Sequence, residues 1–244
     1  TTAEQLAAAI GRQCAGIFYF ARAEGKPGLL SLDEVVRIAH AHGVPVLVDA
    51  ASELYPIQLM HNRVASGADL ICFGAKYLGA QNSAGILCGR TDWVQAARLN
   101  NFTSYETHKN RAIGRGYKID RQEVIGVTVA MSEWLSMDHE ERLQRDAERV
   151  ETIQQALAGL PHVESELRWD SQREPWMRLF VRFDQARLGK SVQTVIDEMR
   201  AGEPSIWLRN DGDDLAIMVN ALADGEAELV GERLRTVLAG VGNQ

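Results

Sequence analysis

Along the first half of the chain, short apolar runs alternate with stretches in which apolar residues recur every three or four positions. The runs Ala15-Gly-Ile-Phe-Tyr-Phe20, Val44 to Val48, Asp69 to Phe73 and Ser83 to Cys88 are too short for helices and rich in β-branched and aromatic residues, so they predict strands. The runs 44–48 and 69–73 are apolar nearly throughout, as in parallel strands buried on both faces. Between the runs lie helical patterns: Thr2 to Arg12 with Leu6, Ala9 and Ile10 on one side, Val35 to Ala39, and Asp92 to Leu99. Residues 55–66 are mixed and read as a loop and a helix. Ser31-Leu-Asp-Glu34 is a capping box: the serine hydroxyl reaches the N3 amide and the glutamate reaches back. Gly43 supplies the stop. Strand, capped helix and strand predict a parallel βαβ unit with a right-handed crossover.

The second half reads differently. Asn100 to Lys118 is polar and basic with glycines, and reads as a loop. Asp120 to Leu160 is the longest helical stretch, opened by Asp120-Arg-Gln-Glu123, bent near 136–138 and stopped by Gly159 and Pro161. Trp176 to Phe183 alternates as a half-exposed strand does. Ser191 to Met199 is helical, Ser205–Arg209 and Leu215–Val219 are strands around Asp211-Gly-Asp-Asp, and Asp224 to Leu238 is a closing amphipathic helix. The expected division is a parallel α/β domain over 1–140 and a small α+β domain over 141–244.

Composition narrows the function classes. The chain has 244 residues, 45% hydrophobic and 24% charged, with a net charge of −7. That balance suits a globular protein and argues against a nucleic-acid partner, which calls for a basic surface. No apolar run reaches the roughly 18–20 residues that span a bilayer, so no membrane role is expected. Nor is there a signal-peptide pattern. Three cysteines without paired spacing argue against a disulfide framework or a metal site; Cys72 and Cys88 read as buried thiols in a reducing cytoplasm. The chain opens on Thr1 and enters its first helix at once, which suggests a fragment or processed chain.

The candidate chemistry lies at two strand ends. In an open α/β sheet ligands bind beyond the carboxyl ends of the strands. Asp49 ends one apolar run, and Lys76 follows the next among small residues, in Phe73-Gly-Ala-Lys76-Tyr-Leu-Gly79. A lysine amine freed by desolvation can condense with an aldehyde. An ionised acid facing a pyridine nitrogen keeps that ring protonated, and pyridoxal phosphate uses both groups. The bland alternatives are a strand-end aspartate capping the next helix and a surface lysine. Ser52-Glu53 either lines the same crevice or caps a helix. His40 and His42 sit where a helix end favours positive charge, and His61 and His108 sit in loops. Trp169, Trp176 and Trp207 read as small-domain core or interface. There is no G-x-S-x-G elbow, Walker loop or dinucleotide fingerprint.

These residues resemble a family. Gly43-Val-Pro-Val-Leu-Val-Asp-Ala-Ala-Ser-Glu53 is similar to the aspartate-bearing segment of fold-type-I pyridoxal-phosphate enzymes. Phe73-Gly-Ala-Lys-Tyr-Leu-Gly-Ala-Gln-Asn-Ser-Ala-Gly-Ile-Leu87 resembles the lysine loop of the L-seryl-tRNA(Sec) selenium transferase superfamily, nearest to its D-glucosaminate-6-phosphate ammonia-lyase-like members. Arg111-Ala-Ile-Gly-Arg115-Gly-Tyr-Lys118 resembles a basic segment of that group, and Gly202 to Arg209 its small-domain strand. The resemblance implies an α/β fold of the PLP-dependent transferase (aspartate aminotransferase) type. That fold is a three-layer sandwich, here N-terminally incomplete, with a small α+β C-terminal domain. It implies pyridoxal 5′-phosphate as cofactor and no metal. Lys76 would form the internal aldimine and carry the proton, Asp49 would pair with the ring nitrogen, and Ala51 would touch the cofactor. Arg111 and Arg115 would hold a small anionic amino substrate. The implied reaction is elimination of ammonia from an amino acid or amino-sugar acid (phosphate) in a homo-oligomer with sites between subunits. The alternatives are selenium or sulfur transfer on seryl-tRNA, or a truncated non-catalytic relative. Phe73 stands where the family usually carries a serine, and the glycine-rich phosphate cup of the fold is expected upstream of Thr1.

Overall fold

A computed structural model describes residues 1–107, 113–170 and 176–239. Two compact units emerge. One is Thr1–Met137; the other comprises Asp138–Asp170 and the residues from Trp176 onward.

The first unit is built on a four-stranded sheet in the order β1 (Ile17–Phe20), β2 (Val46–Asp49), β3 (Leu70–Gly74), β4 (Gly85–Gly89). The first three strands are parallel and β4 returns antiparallel. Helix α1 (Ala3–Ala9) is opened by a Thr2–Gln5 capping box. The predicted box at Ser31 forms and starts α2 (Leu32–Ala41): Ser31 Oγ accepts from the Glu34 amide, and Glu34 accepts from the Ser31 amide at 3.1 Å. Helix α3 (Ile57–Ala65) precedes β3. Val46, Val48 and Ile71 are fully buried, Phe73 nearly so, against Leu32, Val35, Val36 and Ala39 of α2, Met60 of α3 and Trp134. Each such residue contributes about 1.5–3 kcal/mol by leaving water.

Burial on both faces, expected for β2 and β3, is not what these residues form. Leu47, Leu70 and Cys72 are only half-buried, and on the same face Phe18 and Phe20 are 64% and 50% exposed. The core helices α2, α3 and α6 (Arg121–Ser136) pack against the other face, so burial alternates along the strands.

The long helix is two helices. It breaks where Met137 turns extended (ψ 142°), and Asp138 caps α7 (His139–Leu157) by accepting from the Glu141 amide at 3.0 Å. Trp134 anchors α6, its indole N–H donating to Leu54 O at 3.2 Å. After α4 (Thr91–Leu99), the expected loop over 100–118 contains α5 (Phe102–Thr107) and a 3-10 turn, Ile113–Gly116. The α5 start is fixed by Asn101, whose Oδ1 accepts from the Ser104 amide at 3.1 Å.

The second unit is an antiparallel sheet in the order β5 (Val163–Arg168), β6 (Arg178–Phe183), β8 (Asp214–Met218), β7 (Arg209–Asp211). Strand β5 was not anticipated. It flanks β6 on one side while β8 flanks it on the other. The expected alternation is present, with Leu179, Val181 and Phe183 buried and Arg182 exposed; Phe180, on the other face, is buried as well, with Arg168 of β5 over its ring at 4.3 Å. Ser205–Leu208 lies outside the ladder, and the β7–β8 turn narrows to Gly212-Asp213. After a short helix α8 (Gln185–Leu188), α9 (Val192–Ala201) is capped by Ser191. Helix α10 (Glu226–Ala239) packs along α7, where a Cβ on Gly231 would sit 2.7 Å from the Ala156 Cβ. Asp214 is buried between Arg182 and Arg168, which donate to it at 2.7–3.0 Å and hold its carboxyl below the usual range.

At the amino edge of the first sheet Asp69 is 2% exposed. It accepts from Val46 N at 2.8 Å and Arg90 Nη1 at 2.9 Å, and lies 2.9 Å from His40 Nε2. Burial alone would raise its pKa; these contacts outweigh burial and hold the carboxyl below the usual range. A depressed folded pKa gives stability that is present above the unfolded value and lost as pH falls through the folded one. We therefore expect Asp69→Asn to lose about 1–3 kcal/mol at neutral pH. Wild type and variant should converge on acidification in urea melts run at stepped pH; parallel curves would contradict this.

Candidate active site

The carboxyl edge of β2 and β3 gathers the candidate groups. Asp49 is the last residue of β2 and sits in register with Phe20 and Cys72. Its Oδ1 accepts from the Ala51 amide at 3.0 Å, which folds the chain back over the strand end. Ala50 N then donates to Cys72 O at 3.0 Å, and Gly74 N to Ala51 O at 2.9 Å. The loop bearing the acid is thus hydrogen-bonded to the strand end that leads, two residues later, to Lys76.

Lys76 sits in a 3-10 turn, Ala75–Leu78, closed by Gly79 at φ +95°, a conformation a side chain disfavours. Ala75 N donates to Ala84 O at 3.1 Å and Ala80 N to Ala75 O at 3.1 Å, so the loop closes on itself. Ala75 and Leu78 take the inward positions, and Lys76 is left exposed. The desolvated lysine expected at a buried strand end is therefore not found in this chain. Its Nζ lies 5.0 Å from the Tyr77 ring centroid. That ring lies against Gly74, where a Cβ would come within 2.9 Å of it and 3.3 Å of Ala51 O. The loop is also tied to α6: Ser83 Oγ donates to Glu123 Oε1 at 2.6 Å, while Glu123 Oε2 accepts from the Asp120 amide at 2.9 Å. These two bonds hold the Glu123 carboxyl below its ordinary range.

Of the remaining candidates, Ala51 lies at the same edge. Arg115 lies in the 113–116 turn, 3.2 Å from Glu106 and over the Tyr105 ring at 5.3 Å. Arg111 and His108 lie outside the described residues. Cys72, beside Asp49, has its thiol pushed up by burial and by the aspartate's charge; burial does the same to Cys88. Both are free and half-buried rather than buried. His40 serves Asp69, and Trp207 is 76% exposed with Arg200 over its ring.

The sequence did not reveal a buried ion cluster behind the acid's loop. Glu53, 2% exposed, neither lines the crevice nor caps α3, whose N-cap is Pro56. Its two oxygens accept from Arg63 Nε at 2.5 Å and Nη2 at 3.2 Å. Arg63 Nη1 donates to Glu24 Oε2, and Glu24 Oε1 accepts from Leu32 N at 2.8 Å. Burial works against the Arg63 charge, but the two glutamates outweigh it and hold the guanidinium protonated. The signal in the sequence was slight: one arginine on the apolar side of a short helix.

Among the described residues, no three or more His, Cys, Asp or Glu cluster to hold a metal ion, and no helix is long and apolar enough to cross a membrane.

Compared with known proteins, residues 1–203 match the model of the DegT/DnrJ/EryC1/StrS aminotransferase family. The chain is 34% identical over 214 residues to 5′-C-glycyluridine monooxygenase-decarboxylase from Streptomyces sp., covering 86% of this chain and 50% of that protein. It is 27% identical over 238 residues to D-glucosaminate-6-phosphate ammonia lyase from Salmonella typhimurium (strain 14028s / SGSC 2262), covering 96% and 60%. The solved structure of a D-glucosaminate-6-phosphate ammonia-lyase superposes with a TM-score of 0.73 at 26% identity, over 99% of this chain and 62% of that one. Sphingomonas wittichii serine palmitoyltransferase shares the fold, with a TM-score of 0.54 at 13% identity over 98% and 59%. The chain spans half to three-fifths of the length of these curated relatives.

Proposed function

The chain belongs to the DegT/DnrJ/EryC1/StrS aminotransferase family, whose members depend on pyridoxal 5′-phosphate, and we propose that it serves a lyase that eliminates ammonia from an anionic amino acid or amino-sugar acid. The lyase reading is supported by the likeness to D-glucosaminate-6-phosphate ammonia-lyase over 99% of this chain, and the placement of its acid and amine by the bond from Gly74 N to Ala51 O, which ties the Asp49 loop to the strand end leading to Lys76. The donor set fits the cofactor: one acid and one amine at a single sheet edge, with small residues, Ala51 and Gly74, between them.

When bound, the cofactor supplies an aldehyde and an electron-accepting ring. Lys76 Nζ would be the amine that holds the aldehyde end, and would serve as the base for the substrate Cα proton. Asp49 would keep a proton on the ring nitrogen. Arg115 would exchange Glu106 for the substrate's carboxylate or phosphate, and Arg111, outside the described residues, is proposed to bind the same anion. A 2-amino-3-hydroxy acid would lose its β-hydroxyl after the Cα proton and yield one ammonia and one 2-keto acid, with no net uptake of water. Exposed Val124, Ile125 and Val129 on α6 support a homo-oligomer, since such a stripe is normally covered.

The test is to give the full-length protein, supplied with pyridoxal phosphate, 2-amino-3-hydroxy acids with and without a terminal phosphate. Ammonia and keto acid should appear in equal amounts. The 34% identity to a monooxygenase-decarboxylase favours one second reading, oxidative loss of the carboxylate. Carbon dioxide release with oxygen uptake, and no ammonia-linked keto acid, would select it. Transfer to seryl-tRNA is disfavoured by the net charge of −7.

A further inference from the structure

We propose that Arg63 is a positioning residue for Asp49, acting through Glu53 and anchored by Glu24. The inference rests on the cofactor reading above.

Asp49 and Glu53 belong to one short loop whose turn is closed by Glu53 N donating to Ala50 O at 2.9 Å. On its strand side the loop is fixed by backbone bonds to β3. On its far side Arg22 donates to Ser52 Oγ at 3.4 Å and the Trp134 indole to Leu54 O, while the Glu53 side chain is the buried charged tether and ends in a two-pronged contact with Arg63. The third guanidinium arm reaches Glu24, in the connection between β1 and α2, and Glu24 in turn accepts the first amide of α2. One cation therefore joins the loops that follow β1 and β2 to α3. Arg63 and Glu53 are 6% and 2% exposed. A planar fork with fixed donor directions sets distance and angle, which an ammonium does not. A buried acid with one good partner must also follow that partner or be left uncompensated. Any shift of the guanidinium is thus passed along four residues to the acid that faces the ring nitrogen. Displacing a reacting group by about 1 Å through a change away from the chemistry can cost on the order of 10²-fold in rate.

The experiment uses the full-length protein with ¹⁵N-labelled pyridoxal phosphate in wild type, Arg63→Lys, Glu53→Gln and Asp69→Asn. Nitrogen-15 NMR of the cofactor ring reports its protonation, and borohydride reduction reports attachment to Lys76. We expect Arg63→Lys and Glu53→Gln to keep attachment at Lys76 while the ring-nitrogen signal moves toward the unprotonated position. Turnover should fall by about 10²-fold, with a smaller change in KM. Asp69→Asn is destabilised at the opposite sheet edge and should leave the ring signal unmoved, which separates positioning from a general loss of stability. If Arg63→Lys does not fold, Glu53→Gln carries the test alone. A ring signal unchanged in the folded variants while wild type binds at Lys76 overturns this inference only. A wild type that takes no cofactor at Lys76 overturns both this inference and the function proposed above.

Discussion

Lys76→Ala in the full-length protein is expected to abolish covalent cofactor attachment and to lower turnover by about 10²–10⁴-fold, the range carried by a positioned proton-transferring group. The fold should survive. Lys76 is exposed in its turn, and the inward positions of that turn belong to Ala75 and Leu78. The Lys76 ammonium lies over the Tyr77 ring. Alanine there leaves the Ala75–Ala84 and Ala80–Ala75 bonds in place, so thermal stability should change little while the visible absorption of bound cofactor is lost. Lys76→Arg should fare no better, because a guanidinium stays protonated and supplies no nucleophile. A variant that keeps turnover within a few-fold of wild type would remove Lys76 from the chemistry.

Asp49→Asn is the second large effect, and it is diagnostic because the substitution is nearly isosteric. The asparagine Oδ1 can still accept from the Ala51 amide, as Asp49 does at 3.0 Å, so the strand-end turn should persist. What disappears is the negative charge that the proposed function sets opposite the ring nitrogen. Removing one preorganised electrostatic partner of this kind costs about 10²–10³-fold in kcat. The expected result is therefore a folded protein that still attaches cofactor at Lys76 but turns over about 10²-fold more slowly or worse. Its ring nitrogen should read as unprotonated by NMR. If Asp49→Asn instead prevents attachment and unfolds the first unit, the aspartate is a structural cap.

The helix start and the strand end that carry the candidate acid could be read from the chain because their determinants are local. The Ser31 capping box and the apolar run into Asp49 each act within a few positions, and each forms the element expected. Part of what was missed depends on partners distant in sequence, and part on local geometry that composition does not display. Strand β6 alternates as its sequence implies, but the burial of Phe180 on its other face comes from Arg168 of β5, ten or more residues away. The lysine looked desolvated because the run before it is apolar, whereas exposure is decided by which faces of a 3-10 turn Ala75 and Leu78 occupy. The segment 100–118 looked like a loop because its charge hid the Asn101 cap. The Glu24–Arg63–Glu53 cluster was invisible for the same reason: its acids lie 39 and 10 residues from the arginine, and no local pattern links them.

The central claim is that the amine holding the cofactor is Lys76, and one measurement tests it most directly. Full-length protein incubated with pyridoxal phosphate, reduced with borohydride, digested and mapped by mass spectrometry should carry the cofactor on the peptide containing Phe73-Gly-Ala-Lys76-Tyr-Leu-Gly79. Lysines already engaged elsewhere should stay unmodified, such as Lys190, which donates to Glu198 at 2.6 Å and Val237 O at 2.9 Å. Label found on another lysine, or no label retained, would contradict the account.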